Sequence, residues 1–417
     1  MNLTGTVRLD VALRFDGGAD RPIGRLARVD RRILFEFAPS FLADPLPLSP
    51  VHMAHRPGVL EEPRRTFDGL FGVFDDSLPD EWGRLLIDRE LDRLGVGREL
   101  LTPLDRLAIV GEGGPGALIY RPAIDAAKAP EDVDLRSLAD EARAVLEGDS
   151  STVFPELLAL GGSSGGSWPK VLCAWRPRDG ALIVGRRPLP EGFVAVLVKF
   201  RNAGEPKDAG AVEHAYAAMA RAAGVDVAPA WLLAPVRGDP GFFATRRFDR
   251  DPRVHIHSLC GLLHADYRVP SVDYEDLLKT TRFLTRDQRA VEQMFLRMAF
   301  NVFAHNRDDH SRNFAFQMDA AGTWTLAPAF DLTFSSGPGG EHWMTVAGEG
   351  REPGESHLLA VAERVDVPAK SAAHAIDAVR TAVASWGTFA VASDVGRASR
   401  ARVNKALARA QSGVRPS

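Results

Sequence analysis

The balance of apolar patterns in this chain shifts near residue 256, and that shift limits the folds open to it. Ahead of residue 256 most candidate elements are short runs that suit strands. Behind it the apolar residues recur at helical spacing. Val7, Leu9, Val11, Leu13 and Phe15 alternate with polar neighbours, as on a strand with one wet face. Runs at 171–175, 181–184, 193–200, 228–236 and 241–248 are further strand candidates, with turns at Asp179-Gly180 and Gly238-Asp239-Pro240. The clearest helix carries Val291, Met294, Phe295, Met298, Ala299 and Val302 on one face. Thr285, with Gln288 three residues later, reads as the capping box that opens it. Further helices are expected from about 356, 368 and 393. This order of elements implies an α/β protein of the α+β kind.

A chain of 417 residues suggests two domains with ample core. Residues 1–120 read as a small α/β unit. It holds a strand at 7–15, a turn at Asp16-Gly17-Gly18, a strand at 33–37 and an irregular proline-rich stretch at 42–63. A helix opened by Pro79 or Asp80 follows through Leu85, Leu86, Ile87 and Leu91, and a glycine turn at 111–116 leads to a strand at 117–120. The main boundary is placed between 121 and 150, where an acidic connection at 123–134 precedes a helix at 135–146. A helix at 211–223 and a hairpin at 314–318 and 323–327 are also expected, with a loose tail at 412–417. Net charge is −4 and pI about 6.3. That balance argues against binding nucleic acid or an anionic membrane by bulk charge. Two cysteines, Cys173 and Cys260, are too few for a disulfide scaffold and suit a reducing compartment. With no apolar run of spanning length and no basic-then-apolar leader, the expected location is the cytoplasm.

The chemistry concentrates at 304–313, Ala-His-Asn-Arg-Asp-Asp-His-Ser-Arg-Asn. Phosphoryl transfer needs a carboxylate beside the attacking hydroxyl and oxygen ligands for Mg²⁺, and kinases place an Asn five residues after the catalytic Asp. Asp308 and Asn313 have that spacing, and Asp331, after the apolar run at 326–330, supplies a second carboxylate for metal. A competing reading makes His305, Asp309 and His310 a hydrolase metal site, which needs further ligands. His255, His257 and His264 stand at no clear ligand spacing to that loop. The glycines at 161–166 suit a phosphate cradle, and equally a flexible linker; the flanking strands and Lys170 favour the cradle. Lys170 is either a phosphate contact or a surface lysine at a strand start. Lys199 ends an apolar strand, as a nucleotide-contacting kinase lysine does, and a surface position is also open. Glu213 either pairs with it or favours a helix N-terminus.

Taken together, these motifs resemble the HipA family of serine/threonine kinases, the toxins of bacterial type II toxin–antitoxin modules. The likeness rests on 74–86, Phe-Asp-Asp-Ser-Leu-Pro-Asp-Glu-Trp-Gly-Arg-Leu-Leu, and on 116–122, Gly-Ala-Leu-Ile-Tyr-Arg-Pro. It continues through the loop at 161–170, Leu-Val-Lys-Phe at 197–200, Arg-Phe-Asp-Arg at 247–250, Asp308-x-His310-x-x-Asn313 and Phe330-Asp331-Leu332. Ser167-Trp168 departs from the family's small residue and arginine. The resemblance implies a two-lobed, protein-kinase-like fold. Its parts would be an N-terminal α/β domain at 1–122, a smaller lobe with the phosphate loop at 150–252 and a mainly helical lobe at 253–411. It implies Mg²⁺ and ATP as cofactors and Asp308 as proton acceptor, with Asn313 and Asp331 on the metal. Gly165, Gly166, Ser167, Lys170, Lys199, Arg247, Phe248, His310 and Asn313 would surround the nucleotide. Ser163 falls where the family carries an autophosphorylated serine, with Ser164 and Ser167 adjacent. The implied partners are an aminoacyl-tRNA synthetase as substrate and a helix-turn-helix antitoxin of the HipB type, with DNA reached only through that antitoxin and no membrane. A small-molecule kinase on the same fold, or a degenerate binding module, are the alternatives.

Overall fold

A computed structural model describes residues 4–64, 66–124, 135–147, 168–184, 189–202 and 204–412. The first sheet has the order β4-β3-β2-β1-β5, with β1 Arg8–Leu13, β2 Arg21–Val29, β3 Arg32–Phe37, β4 Val59–Glu61 and β5 Leu118–Arg121. Its neighbours all run antiparallel. The alternation in β1 buries Leu9, Val11 and Leu13 on one face. Strand β2 has no counterpart in the sequence reading. Only Ile23 and Leu26 are buried along it, three residues apart, and the pairing with β1 slips between Val11 and Ala12. A bulge therefore breaks the period of two that would have marked the strand.

This unit also holds α1 (Pro39–Ala43), α2 (Gly72–Asp75), α3 (Glu81–Leu94) and α4 (Pro103–Val110), of which α1, α2 and α4 pack on the first sheet's core and α3 does not. Asp80 caps α3, its carboxylate accepting from the Gly83 amide at 2.8 Å. Helix α5 (Leu135–Glu147) follows. The second sheet has the order β7-β6-β8-β10-β9, again antiparallel, from β6 Lys170–Arg176, β7 Ala181–Val184, β8 Val194–Lys199, β9 Ala230–Leu233 and β10 Phe242–Arg246. Between β8 and β9 runs α6 (Ala209–Ala222).

The remainder is mainly helical but holds a three-stranded sheet, β11 (His255–Ser258), β12 (Ala315–Met318) and β13 (Trp324–Leu326), the last two forming the expected hairpin. Strand β11 escapes the sequence reading because its inward side chains are His255 and His257, polar residues buried completely. The helices are α7 (Leu259–Leu263), α8 (Tyr274–Thr285), α9 (Gln288–Phe303), α10 (Glu355–Arg364), α11 (Ala369–Ala384), α12 (Trp386–Ala392) and α13 (Arg397–Ser412). The expected capping box at Thr285 is not formed. Thr285 is the last residue of α8, its hydroxyl donating to the Thr281 carbonyl. The chain reverses at Arg286, and Asp287 caps α9 through the Arg289 amide. Among the described residues, no helix is long and apolar enough to cross a membrane.

Packing divides the molecule differently from chain order. One apolar core joins the first sheet to α6 and the C-terminal helices, from Leu9 and Phe35 through Tyr216 to Phe300 and Leu407. A second core lies under the second sheet, where Val171, Val196 and Val198 meet Trp82, Leu86 and Leu91 of α3 and Leu138 of α5.

Candidate active site

Helix α9 buries Met294, Phe295, Met298 and Val302 and so fixes where the chain leaves it. The exit is the 304–313 loop, and the hairpin β12–β13 then returns the chain to Phe330-Asp331. That return is held from behind. The Ala329 amide donates to the Asp226 carbonyl at 2.7 Å, and Phe330 lies 5.7 Å from Phe248, ring to ring. Asp331 has φ +58, a left-handed conformation that Asp tolerates better than most residues. Its carboxylate is turned onto Lys199.

Lys199 ends β8, opposite Lys170 of β6 and Phe243 of β10. Its ammonium bonds Glu213 of α6 at 2.6 Å and also Asp331. Thus Glu213 is a partner of Lys199, the first of its two sequence readings, and Lys199 is half-buried, its side chain 9 % exposed, rather than at the open surface. Burial raises the Glu213 carboxyl to about 7. Burial works the same way on Asp331, but the Lys199 ammonium outweighs it and holds that carboxyl below its ordinary value. Lys199 is in turn raised, because the two carboxylates outweigh its own desolvation.

Asp308 faces the same small cavity as Asn313 and Asp331, with Arg297, Asn301 and Phe330 also on its wall. The Asn313 side-chain amide donates to the Asp308 carbonyl at 2.7 Å, which locks the two residues' spacing. Burial pushes the Asp308 carboxyl above its usual range, against the pull of His310. The His310 Nε2 lies 3.9 Å from Asp308, and its ring packs against Tyr267 and Trp343. The adjacent Asp309 has a different duty. It is buried and accepts from the Tyr274 hydroxyl at 2.8 Å, His342 Nδ1 at 2.7 Å and the Trp343 amide at 2.9 Å. His305 turns its Nδ1 to the Ser335 carbonyl at 3.1 Å. Two candidate ligands of the hydrolase reading are thus committed to structure. Among the described residues, no three His, Cys, Asp or Glu side chains gather as a metal site.

The donor set suits a hard divalent cation. Asp331 offers carboxylate oxygen. Asn313, its nitrogen engaged by Asp308, has its amide oxygen left to give.

Two expected nucleotide contacts sit deeper than the sequence suggested. Lys170 is not a surface lysine: it is 1 % exposed and paired with Asp80 at 2.7 Å. Arg247 forks onto Asp249 at 2.7 and 2.6 Å, and Asp249 also accepts the Gly116 amide. Gly165, Gly166, Ser167 and Ser163, with Ser164, lie outside the described residues. Sequence reasoning missed the roles of Asp309, Tyr274, His342 and Arg312. Asp309 and Arg312 lie in the loop itself, whereas Tyr274 and His342 reach it only through tertiary contact. The doubled Asp308-Asp309 was the one local signal, and it does not say which of the pair faces in.

Comparison with known proteins is consistent in direction. Residues 162–386 match the HipA-like C-terminal domain, and residues 18–121 match the HipA N-terminal domain. No curated protein matches the chain by sequence. Among solved structures, it is similar to HipA from Shewanella oneidensis MR-1, seen in a toxin–antitoxin complex with HipB and operator DNA. That likeness has 17% identity, 97% of each chain covered and a TM-score of 0.68, a likeness of fold. A Helicobacter pylori proinflammatory kinase, CtkA, is a weaker match, with 11% identity over 58% of this chain and 93% of that one, and a TM-score of 0.38. A C-terminal match spanning more than half of the chain, preceded by the matching N-terminal domain, makes this protein a member of the HipA family.

Proposed function

We propose that the chain is an ATP- and Mg²⁺-dependent serine/threonine-protein kinase with a two-lobed, kinase-like fold, the toxin of a toxin–antitoxin module. The observation that carries this reading is the Lys199 ammonium set between Glu213 and Asp331, with Asp331 on the wall of the cavity that also holds Asp308 and Asn313. Lys199 would bind phosphate oxygens, and Glu213 keeps its ammonium in place. Asn313 and Asp331 would hold Mg²⁺, which supplies charge neutralisation on the phosphates when bound. Asp308 orients a serine or threonine hydroxyl and takes its proton. A carboxyl raised by burial is the stronger base for that task. Arg247, Phe248 and His310 border the nucleotide, with Gly165, Gly166, Ser167 and Lys170 on its phosphate side.

The division into 1–122, 150–252 and 253–411 belongs to this reading, as does a cytoplasmic location. So does an aminoacyl-tRNA synthetase as acceptor. Autophosphorylation at Ser163 would place a doubly charged group in a loop meant for phosphates and repel them. The Shewanella protein stands with HipB and operator DNA. By analogy the partner here is a helix-turn-helix antitoxin that carries the DNA contact.

Intact mass after incubation with Mg-ATP tests the reading. Whole phosphoryl increments on the parent, absent from Asp308→Asn, are expected. A parent that gains no mass and binds no nucleotide overturns it.

A further inference from the structure

The segment from Gly72 to Asp80 is almost wholly buried, although it belongs to the first sheet's unit. It carries three carboxylates within six positions, Asp75, Asp76 and Asp80, and each leaves its own unit to meet a different part of the candidate active site.

Asp75 meets the catalytic loop. Arg312, one residue before Asn313, donates through Nη2 to the Asp75 carbonyl at 2.9 Å and to its carboxylate at 3.1 Å. The guanidinium also lies over the Tyr267 ring at 5.1 Å. Asp76 meets the strand paired beside that loop's exit. It accepts from His257 Nδ1 at 2.7 Å, from the Ser258 amide at 2.7 Å and from the Ser258 hydroxyl at 2.6 Å. Ser258 is the register partner of Ala315, two residues after Asn313. Asp80 meets the other side of the cleft. Its Oδ2 is 2.7 Å from the buried Lys170 ammonium, and Lys170 is the register partner of Lys199.

One short stretch of chain therefore grips both the loop that bears Asp308 and Asn313 and the strand pair that bears Lys199. These two parts belong to different apolar cores, which meet at Ile124, and this one stretch adds polar ties to both. Ion pairs that are buried and multiply bonded hold position more sharply than apolar contact does. We propose that Asp75, Asp76 and Asp80 form a clamp that sets the distance between the catalytic loop and the lysine strand. By this device the N-terminal unit governs phosphoryl transfer without touching the substrate. The clamp's effect on transfer rests on the kinase reading; its effect on the loop's rigidity does not. All three are positioning residues.

The test uses the full chain as parent, Asp75→Asn, Arg312→Gln, the Asp75→Asn/Arg312→Gln pair, and Asp80→Asn. Amide hydrogen exchange is read at 305–314, alongside Mg-ATP dissociation constants and rates of phosphoryl gain. For Asp75→Asn, faster exchange confined to the loop is expected, with transfer slowed roughly tenfold or more and the Mg-ATP constant little changed. The double variant should fall no lower than Arg312→Gln alone, because the two act through one contact. Asp80→Asn should show the converse split, weaker Mg-ATP binding with the loop's exchange unchanged. Parent-like exchange in Asp75→Asn overturns the clamp, as does faster exchange spread evenly over the chain. The same split in both aspartate variants overturns it too. A parent without kinase activity removes the kinase reading, and exchange alone then decides the clamp. If Asp75→Asn does not fold, the Asp80→Asn arm still returns one answer or the other.

Discussion

At the scale of single residues, burial decides which polar groups carry charge. His255 is the clearest case. It is fully buried on β11, its Nε2 donates to the Leu48 carbonyl at 3.1 Å, and its Nδ1 has no hydrogen-bond partner among the described residues. Protonation would place a second N–H in an apolar site with nothing to receive it. Burial accordingly lowers this histidine from 6.5 to about 3. The unfolded chain takes up the proton first as pH falls. The contribution to stability is therefore complete above about 6.5 and lost progressively on acidification toward about 3. Between pH 7 and pH 5 the loss is about 2 kcal/mol for this residue alone. Urea unfolding of the parent and of His255→Gln at both pH values should show that difference in slope. Equal slopes would remove the assignment. No sequence pattern announced this role. A histidine in a run of mixed polarity reads as surface, and only the fold encloses it. Lys199 was different: a lysine closing four apolar residues is visible in one dimension, as are Asp308, Asn313 and Asp331 by their order. The choice between Glu213 as partner and Glu213 as helix-end charge was not visible, since both readings use the same residue at the same place.

Among elements, the long and regular ones were legible and the short ones that bind units together were not. Helix α9 announces itself through six apolar positions, and β6, β8 and β10 through continuous apolar runs. Strand β2 is hidden by its bulge, β11 by its histidines, and α2 by its four-residue length. Yet α2 makes a very close approach between the first unit and the helical part. A Cβ built on Gly72 would stand 2.1 Å from the Gly261 carbonyl oxygen, so two backbones touch there. The Gly72 amide also donates to His264 Nε2 at 3.0 Å. Gly72→Ala must push one backbone away from the other and should cost roughly 1–3 kcal/mol, as overpacking does. The urea midpoint measures it. A variant as stable as the parent would mean that α2 and α7 slide apart freely.

For the molecule as a whole, the sequence suggested units in series, whereas the packing interleaves them. The first sheet shares its core with the C-terminal helices, while α3 of that same unit packs under the second sheet. Removing residues 1–122 would therefore strip one core of a wall and take Trp82 and Leu86 from the other. The remaining fragment should lose near-ultraviolet circular dichroism and bind a hydrophobic dye, signs of unfixed packing. A fragment with native-like spectra would show that the cores are separable. The position of Lys199 and Asp331 then acquires a further meaning. One sits on a strand of the second core, the other in a turn anchored to the first, and their ion pair is a stitch across the seam between the bodies built on those two cores. Anything gripped by both residues becomes a rivet through that seam. Its occupancy would be felt as resistance to heat and to proteases in regions far from the cleft itself, because both bodies would have to release it before either could open.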